Sequence, residues 1–281
     1  MASLDLRPLS LGEILDRTFS LYRSHFLLFI GIAAIPSAVN LAANLIQVGL
    51  NAYLLKSAPE SMMAGLTIGV ALRVVFMLIA VVCYFVSQAG SVRAVSELYL
   101  GRETTITASL GGVREHIAPL FGVFALSVLL VGFGLLLLII PGLYVAMRLM
   151  IASSAVVIEK RGPAEALRRS WDLVADNVGR AFLIVLLGLV IGLALTALFE
   201  VPFLVMMFFA RDNPGMLQAA QALVALGSFV AATLGSPIGL IANSLFYFDL
   251  RVRKEGFDLQ YMMNPDQAIS GPRTSMPSIA P

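Results

Sequence analysis

Six long apolar stretches constrain this sequence more than any other feature. They cover residues 26–49, 65–90, 117–140, 142–158, 181–206 and 222–248. A helix needs roughly 17–25 mostly apolar residues to cross a hydrocarbon core about 30 Å thick, and every stretch is long enough. The sequence therefore predicts an all-α fold, a polytopic membrane bundle of about six transmembrane helices.

Composition excludes the common soluble classes. Hydrophobic residues make up 59% of the chain and charged residues 13%, against about 25% charged residues in soluble domains. A soluble protein would have to expose that excess of apolar side chains, whereas a bilayer accommodates it. The net charge of +2 gives no reason to expect nucleic acid. The expected partners are membrane lipids and other membrane proteins.

The third and fourth stretches are separated only by Pro141 and Gly142. One continuous helix over 117–158 would be about 63 Å long at 1.5 Å per residue, twice the thickness of the hydrocarbon core. Proline lacks the helical donor and glycine turns freely. We therefore predict a tight hairpin at this dipeptide.

Lysine and arginine placement predicts the orientation. With six spans, fifteen of the nineteen basic residues fall on one side, in the segments 7–23, 93–114, 160–180 and 251–273. Only Lys56 and Arg211 fall on the other side. Basic residues concentrate on the cytoplasmic side of membrane proteins. The prediction is a multi-pass protein of the cytoplasmic membrane with both termini in the cytoplasm.

Three regions follow along the chain. Residues 1–25 form a cytoplasmic amphipathic segment without the apolar core of a cleavable leader, residues 26–256 form the membrane domain, and residues 257–281 form a cytoplasmic tail. The last helix is expected to continue past the membrane to Gly256, a natural terminator. The tail beyond it is rich in proline, serine and glycine and is expected to be largely disordered.

An internal repeat is visible in the segments that precede the odd-numbered spans. Residues 13–21 read E-x-L-x-R-T-F-x-L and residues 165–173 read E-x-L-x-R-S-W-x-L. Residues 107–119 are a poorer copy, with Thr107 as the expected N-cap. We predict three units in series, each a cytoplasmic-side amphipathic interfacial helix followed by a two-span hairpin.

Apolar spacing predicts how the last of these helices lies. Leu167 and Trp171 share one face, whereas Arg168 and Arg169 fall on the polar side. Leu167 and Trp171 are expected to be buried, and the two arginines are expected to face water or lipid headgroups.

Several segments resemble a known bacterial family. These are residues 7–26 (RPLSLGEILDRTFSLYRSHF), 141–148 (PGLYVAMR), 165–171 (EALRRSW) and 247–259 (YFDLRVRKEGFDL). They resemble the glycerophosphoryl diester phosphodiesterase membrane domain and related uncharacterised membrane families, over roughly residues 7–259. The resemblance implies six spans. In the members that gave the family its name a phosphodiesterase barrel follows the membrane domain; this sequence contains no such barrel, and the membrane part carries no settled activity.

No catalytic or metal motif accompanies the spans. The two histidines, His25 and His116, lie apart and lack the clustered carboxylates that metal-assisted hydrolysis needs. Neither H-E-x-x-H nor G-x-S-x-G occurs, and the lone Cys83 excludes an intramolecular disulfide. We expect no enzymatic activity, no cofactor and no metal.

Polar residues inside the spans are the candidate site. A charge at bilayer depth costs roughly 2.5–3.5 kcal/mol on insertion scales and marks a partner or a cavity. The predicted topology places six polar residues towards the external half: Asn40, Asn44, Gln47, Arg73, Arg148 and Glu200. The first three are spaced i, i+4 and i+7, which puts them on one face of span one.

Two interpretations of this cluster stay open. In the first, Arg73 and Arg148 bind an anion or headgroup in an outward-facing pocket and Glu200 is their counter-charge. In the second, the same residues form a structural salt-bridge network. At the level of the whole protein, the first hypothesis is a non-enzymatic scaffold, envelope-maintenance or lipid-associating protein. The alternative is a small transporter or transporter subunit.

Overall fold

Helices make up all the regular structure in the part of the chain that the computed structural model describes, residues 7–54 and 59–257 together with 259 and 263. This confirms the predicted all-α fold. The predicted tail at 257–281 lies outside the described residues, apart from 257, 259 and 263.

Within the described residues, the chain forms eleven α-helices joined by short connections. They are α1 (Leu11–Ser24), α2 (Phe26–Leu54), α3 (Pro59–Tyr99), α4 (Ile106–Leu110), α5 (Arg114–Leu137), α6 (Ile139–Leu149), α7 (Ala152–Glu159), α8 (Pro163–Val174), α9 (Val178–Phe199), α10 (Val201–Phe209) and α11 (Pro214–Glu255). A 3₁₀ turn, Ala175–Asn177, connects α8 to α9.

Six segments are long and apolar enough to cross a bilayer, as predicted. Helices α2, α3, α5, α9 and α11 supply one span each, and α6 with α7 supplies the fourth. The chain is therefore a multi-pass membrane protein. α11 has 42 residues and is about 63 Å long at 1.5 Å per residue, so it extends beyond the membrane. It ends at Gly256, whose φ of 61° is left-handed, which confirms the predicted terminator.

The predicted hairpin between spans three and four is present, but its turn lies at Leu138. This residue is extended, with φ −165° and ψ 154°, between α5 and α6. Pro141 and Gly142 instead occupy the start of α6, where a missing donor costs nothing. Gly134 and Gly142 permit a close approach of the two helices, because a Cβ on Gly134 would lie only 2.8 Å from the Gly142 Cα. The two helices thus meet backbone to backbone.

Two spans are interrupted where the sequence predicts continuous helices. The fourth breaks at Met150–Ile151, between α6 and α7, and the fifth breaks at Glu200, between α9 and α10. At the first break, Asn243 Nδ2 donates to the Met150 carbonyl at 2.8 Å. Irregular backbone is tolerated at membrane depth only where such partners exist. A tertiary contact therefore stabilises this break, which the local sequence does not predict.

Burial is concentrated at one end of the bundle, which we call the packed end. Every residue of α7 is buried there. The end of α3 around Val92 and the end of α11 around Phe248 belong to the same buried core. Parts of α1 and α8 are buried there too. The stretch 66–79 of α3, by contrast, is mostly exposed. The spans are held together at the packed end and leave much of their apolar surface for lipid.

Two copies of the predicted repeat have a buried hydroxyl at the same position. α1, α4 and α8 precede spans one, three and five. Thr18 in α1 and Ser170 in α8 occupy the same position of the repeat and are both fully buried. Each hydroxyl donates to a backbone carbonyl, that of Ile14 at 2.7 Å and that of Arg148 at 2.8 Å.

The middle copy is shorter than the other two. α4 has five residues, and its N-cap is Thr105, whose hydroxyl accepts from the Ala108 N–H at 3.2 Å. The expectation that Thr107 caps this helix was wrong by two residues.

The Gly134–Gly142 contact predicts a sharp difference between neighbouring substitutions. Gly134→Ala should destabilise the protein by about 1–3 kcal/mol, because its methyl group would overpack against backbone. Gly132→Ala is the matched control on the same helix, since nothing lies within 4 Å of a Cβ there. Thermal unfolding of both variants in one detergent measures the difference. Equal melting temperatures would contradict the backbone-to-backbone hairpin.

Candidate functional site

The packed end is held by two clusters of buried charge, of which the first fixes the N-terminal segment. Asp249 of α11 is fully buried and accepts from the Leu9 N–H at 2.7 Å and from Arg180 Nη1 at 2.8 Å. Arg253 Nε donates to the same carboxylate at 3.0 Å. The Leu9 carbonyl in turn accepts from Arg180 Nη2 at 2.8 Å. The backbone ahead of α1 is therefore bound to the end of the last helix.

A capping box continues from this contact into α1. The Ser10 N–H donates to Glu13 Oε2 at 2.7 Å, and the Glu13 N–H donates to Ser10 Oγ at 3.3 Å. These bonds to Ser10, followed by the bond from Arg7, lower the pKa of Glu13 to about 2. The carboxylate therefore stays ionised, and the cap stays formed, far into the acid range.

The second cluster surrounds Glu159 at the end of α7. Arg169 of α8 donates through Nε to Glu159 Oε1 at 2.9 Å and through Nη2 to Glu255 Oε2 at 2.7 Å. Tyr247 and Arg161 also donate to Glu159. Three helices, α7, α8 and α11, are thereby joined through one buried carboxylate.

Arg169 corrects the predicted orientation of α8. Its side chain is 13% exposed and turns inward to Glu159 and Glu255, instead of facing water. Leu167 is buried and Arg168 exposed, as expected. Trp171 was expected to be buried, but it is 36% exposed; one side of its ring packs on the buried guanidinium of Arg148, while the rest reaches the surface. An amphipathic pattern distinguishes apolar from polar side chains, but it does not reveal a buried partner for a charge.

These charges were not among the residues predicted from the sequence to form a site. Arg169, Asp249, Arg253 and Glu255 lie within the segments 165–171 and 247–259, which carry the family resemblance, whereas Glu159, Arg161 and Arg180 lie outside them. The resemblance was therefore a signal for only part of the two clusters. The carboxylates and guanidinium groups pair with one another, so the clusters hold the fold together. They leave few hydrogen-bonding groups for a ligand.

A cleft with a different character lies among α2, α3 and α11, and we call it the amide cleft. Asn40, Asn44 and Tyr84 line both of its parts. One part faces α11 and the other opens past Arg73 towards α5, each with a volume of about 430 Å³. Volumes of this size are typical of sites for small ligands. The structure thus brings together three of the six predicted residues, Asn40, Asn44 and Arg73.

Proline shapes the walls of the cleft. Pro36 of α2 has no N–H, so the Ile32 carbonyl loses its helical donor. Ser87 of α3 replaces it, donating to that carbonyl at 3.0 Å. Pro237 lies inside the continuous helix α11, next to Ser236, which lines the same cleft. Both proline positions therefore border one cavity.

Several polar groups of the cleft lack a partner among the described residues. Asn40 donates to the Pro36 carbonyl at 3.0 Å. The side chains of Asn44, Gln88 and Arg73 form no hydrogen bond or ion pair with any part of the chain that the structure describes. Apolar side chains such as Phe229 form the remaining walls. The cleft therefore offers amide and guanidinium donors inside apolar surroundings.

Gln47 lies one step further along α2 in an adjoining cleft. Its Nε2 donates to Asn51 Oδ1 at 3.1 Å, and Gln221 of α11 faces the same space. Asn44 lines both this cleft and the amide cleft. The polar face predicted for the outer half of span one is therefore continuous in the structure.

Arg148 and Glu200 lie elsewhere. Arg148 packs on Trp171 of α8, at the packed end, because α6 ends one residue later. Glu200 lies at the break in span five, where a Cβ on Gly227 would meet the Phe199 carbonyl oxygen at 2.1 Å. Among the described side chains, no ion pair within 4.0 Å joins Glu200 to either arginine. The structure does not bring these two residues to the amide cleft.

No group of three or more histidine, cysteine or acidic side chains suited to a metal occurs within the described residues. The amide cleft has hydrogen-bond donors, acceptors and one cation. Chemically, it can bind an amphiphile through a polar head while its apolar walls contact hydrocarbon.

Comparison with known proteins gives one match. A family model described as a domain of unknown function, DUF7847, matches residues 98–250, more than half of the chain. No curated protein and no solved structure matches. Of the Glu159 cluster, the matched region contains every residue named above except Glu255, but it begins after the α2 and α3 walls of the amide cleft. The match does not bear on the resemblance to the phosphodiesterase membrane domain, which stays a prediction.

Removing the charge of Glu159 should destabilise the protein strongly. Glu159→Gln leaves the buried arginines without their shared carboxylate, and breaking such a pair typically costs about 3–5 kcal/mol. Glu165→Gln is the control, because this exposed residue in the first turn of α8 contributes less than about 1 kcal/mol. Denaturation in detergent measures both. Equal stabilities would show that the cluster does not hold the packed end.

Proposed function

The chain belongs to the DUF7847 family, whose function is unknown, and we propose that it is a non-enzymatic, lipid-binding protein of the bacterial cytoplasmic membrane. Three roles were open to a non-enzymatic membrane protein of this kind: scaffolding, envelope maintenance and lipid association. The amide cleft supports the last of them.

One observation carries this proposal. Arg73, Asn44 and Gln88 face a cleft inside the membrane-spanning region without partners among the described residues. Unpaired polar groups in apolar surroundings are costly, and a charged group costs most. A phospholipid resolves this cost, because its phosphate pairs with the arginine while the amides bond its ester oxygens. Its acyl chains then lie along the exposed apolar surface of α3.

The orientation proposed for the molecule follows from the distribution of basic residues. The packed end contains the basic segments 160–180 and 251–253, so we place it on the cytoplasmic side with both termini. The amide cleft then opens towards the external half of the membrane. A lipid enters it laterally from the bilayer, without crossing water.

Transport is the alternative, and interrupted helices favour it. Spans four and five are broken, and α2 and α11 contain prolines inside the membrane. Discontinuous helices are typical of transporter binding sites. At the break, however, the Met150 carbonyl accepts a hydrogen bond from Asn243. The carbonyl that Pro36 leaves without a helical donor likewise accepts one from Ser87, so neither carbonyl is free to bind a substrate.

Arg73→Gln should weaken phospholipid binding by about tenfold. The estimate corresponds to one charge-assisted hydrogen bond, about 1.5–3 kcal/mol, partly replaced by the amide. Native mass spectrometry of the purified protein, titrated with phospholipid, measures it. Arg211→Gln is the control, because Arg211 lies in the turn after α10 with its guanidinium 4.1 Å from the Phe208 ring. If both variants retained phospholipid like the wild type, the cleft would not be the binding site.

Side-specific labelling separates lipid binding from transport and tests the orientation. In a Cys83→Ser background, Asn44→Cys should react with a membrane-impermeant maleimide added from outside only. Arg168→Cys, on the exposed face of α8, should react from inside only. Labelling of the Asn44 position from both sides would indicate alternating access and favour the transporter. Labelling of the Arg168 position from outside would overturn the orientation.

A further inference from the structure

Arg148 has an environment unlike that of every buried arginine in the two charge clusters. It is 8% exposed, and its guanidinium carbon lies 4.3 Å from the centroid of the Trp171 ring and 5.4 Å from that of Tyr144. Its Nη1 donates to the Tyr144 hydroxyl at 2.6 Å. The arginine is thus held between two aromatic rings, one from its own helix and one from α8.

The charge of this guanidinium has no direct counter-ion. No carboxylate lies within 4.0 Å of it among the described residues. The acid whose field reaches it, Asp176, is bound to Lys254 at 2.7 Å. A buried cation without an acidic partner is unfavourable, and cation–π contacts offset only part of that cost. The site therefore lacks a negative charge to balance the guanidinium.

The donors that remain have the geometry of a fork. Nη1 is occupied by Tyr144, whereas Nε is sealed from solvent and has no acceptor. Nη2 also has no hydrogen-bond partner but is not sealed. The Nε–Nη2 edge of a guanidinium matches two oxygens of a phosphate. Because Nε is covered, binding to both nitrogens requires a side chain at this place to move.

The site is built into the fold rather than placed on a mobile surface chain. Ser170 donates to the Arg148 carbonyl at 2.8 Å, which fixes the backbone of α6 against α8. Trp171 and Tyr144 meet edge to face, with ring centroids 6.1 Å apart. They are 36% and 43% exposed, so the site reaches the molecular surface between the two helices.

We propose that Arg148, Trp171 and Tyr144 form a phosphate-binding site for the headgroup of a phospholipid, separate from the amide cleft. Arg148 belongs to a membrane-spanning segment, and α8 is amphipathic with Arg168 exposed to the surroundings. Tryptophan and tyrosine are the side chains that concentrate at the level of lipid headgroups. The oxyanion that reaches a guanidinium at this level is the phosphodiester of the bilayer itself.

Trp171 is the only tryptophan of the chain, so its fluorescence reports on this site alone. The full-length protein in a phosphate-free maltoside detergent is titrated with phosphatidylglycerol, with diacylglycerol of the same acyl chains, and with inorganic phosphate. Phosphatidylglycerol is expected to produce a saturable change in emission, and diacylglycerol none. Arg148→Gln should raise the half-saturating concentration at least tenfold. Arg168→Gln is the control, because Arg168 is exposed and lies one helical turn before Trp171. It should change the half-saturating concentration less than threefold.

The outcomes separate this site from the proposed function. Arg73→Gln should leave the Trp171 titration unchanged, so a failure of the amide cleft to bind lipid does not affect this test. An equal response to diacylglycerol, or a normal titration by Arg148→Gln, would overturn the proposal. Inorganic phosphate acting at the same concentration as phosphatidylglycerol would reveal a free-anion site and overturn the lipid assignment. If Arg148→Gln does not fold, Arg148→Lys keeps the charge without the fork and should bind at least threefold more weakly.

Discussion

A single buried carboxylate, that of Glu159, joins α7, α8 and α11 at the packed end. Hydrocarbon provides no force that brings helices together, since lipid tails are as apolar as leucine. Five of the six spans found among the described residues indeed bury only a third or less of their most apolar window, and only the fourth buries more than half. Association depends instead on the packed end, where Glu159 binds Arg169 of α8 and Tyr247 of α11. Because Arg169 also binds Glu255, a change at any one of these groups is transmitted to three helices.

Tight packing at one end makes an open cleft possible at the other. Held at the packed end, α2, α3 and α11 need not interlock along their whole length, and the space among them is lined by amides and Arg73. Ser87 supports this arrangement because it bonds the carbonyl that Pro36 leaves without a donor. The two proposed lipid sites have one feature in common. Each contains an arginine whose charge the protein does not neutralise, one in the cleft and the other between α6 and α8.

Much of the fold could be predicted from the sequence because its signals are local. Apolar length predicts the spans, glycine predicts the end of α11, and the repeated E-x-L-x-R pattern predicts α1 and α8. The amide spacing of Asn40 and Asn44 likewise predicts one polar face of α2. What could not be predicted depends on contacts distant in sequence. The break at Met150 is stabilised by Asn243, 93 residues away. Arg169 turns inward for Glu255, 86 residues further along the chain.

The turn between α5 and α6 has a consequence for how the chain is inserted during synthesis. Leu138 alone separates the helices, and its neighbours Leu136 and Ile140 are 86% and 80% exposed. A tip made of aliphatic side chains is unfavourable in water, so it stays within the hydrocarbon of the bilayer. No hydrophilic loop has to be translocated between these two helices. They can therefore leave the translocon together, as one preformed unit whose turn presents no epitope or protease site at the membrane surface.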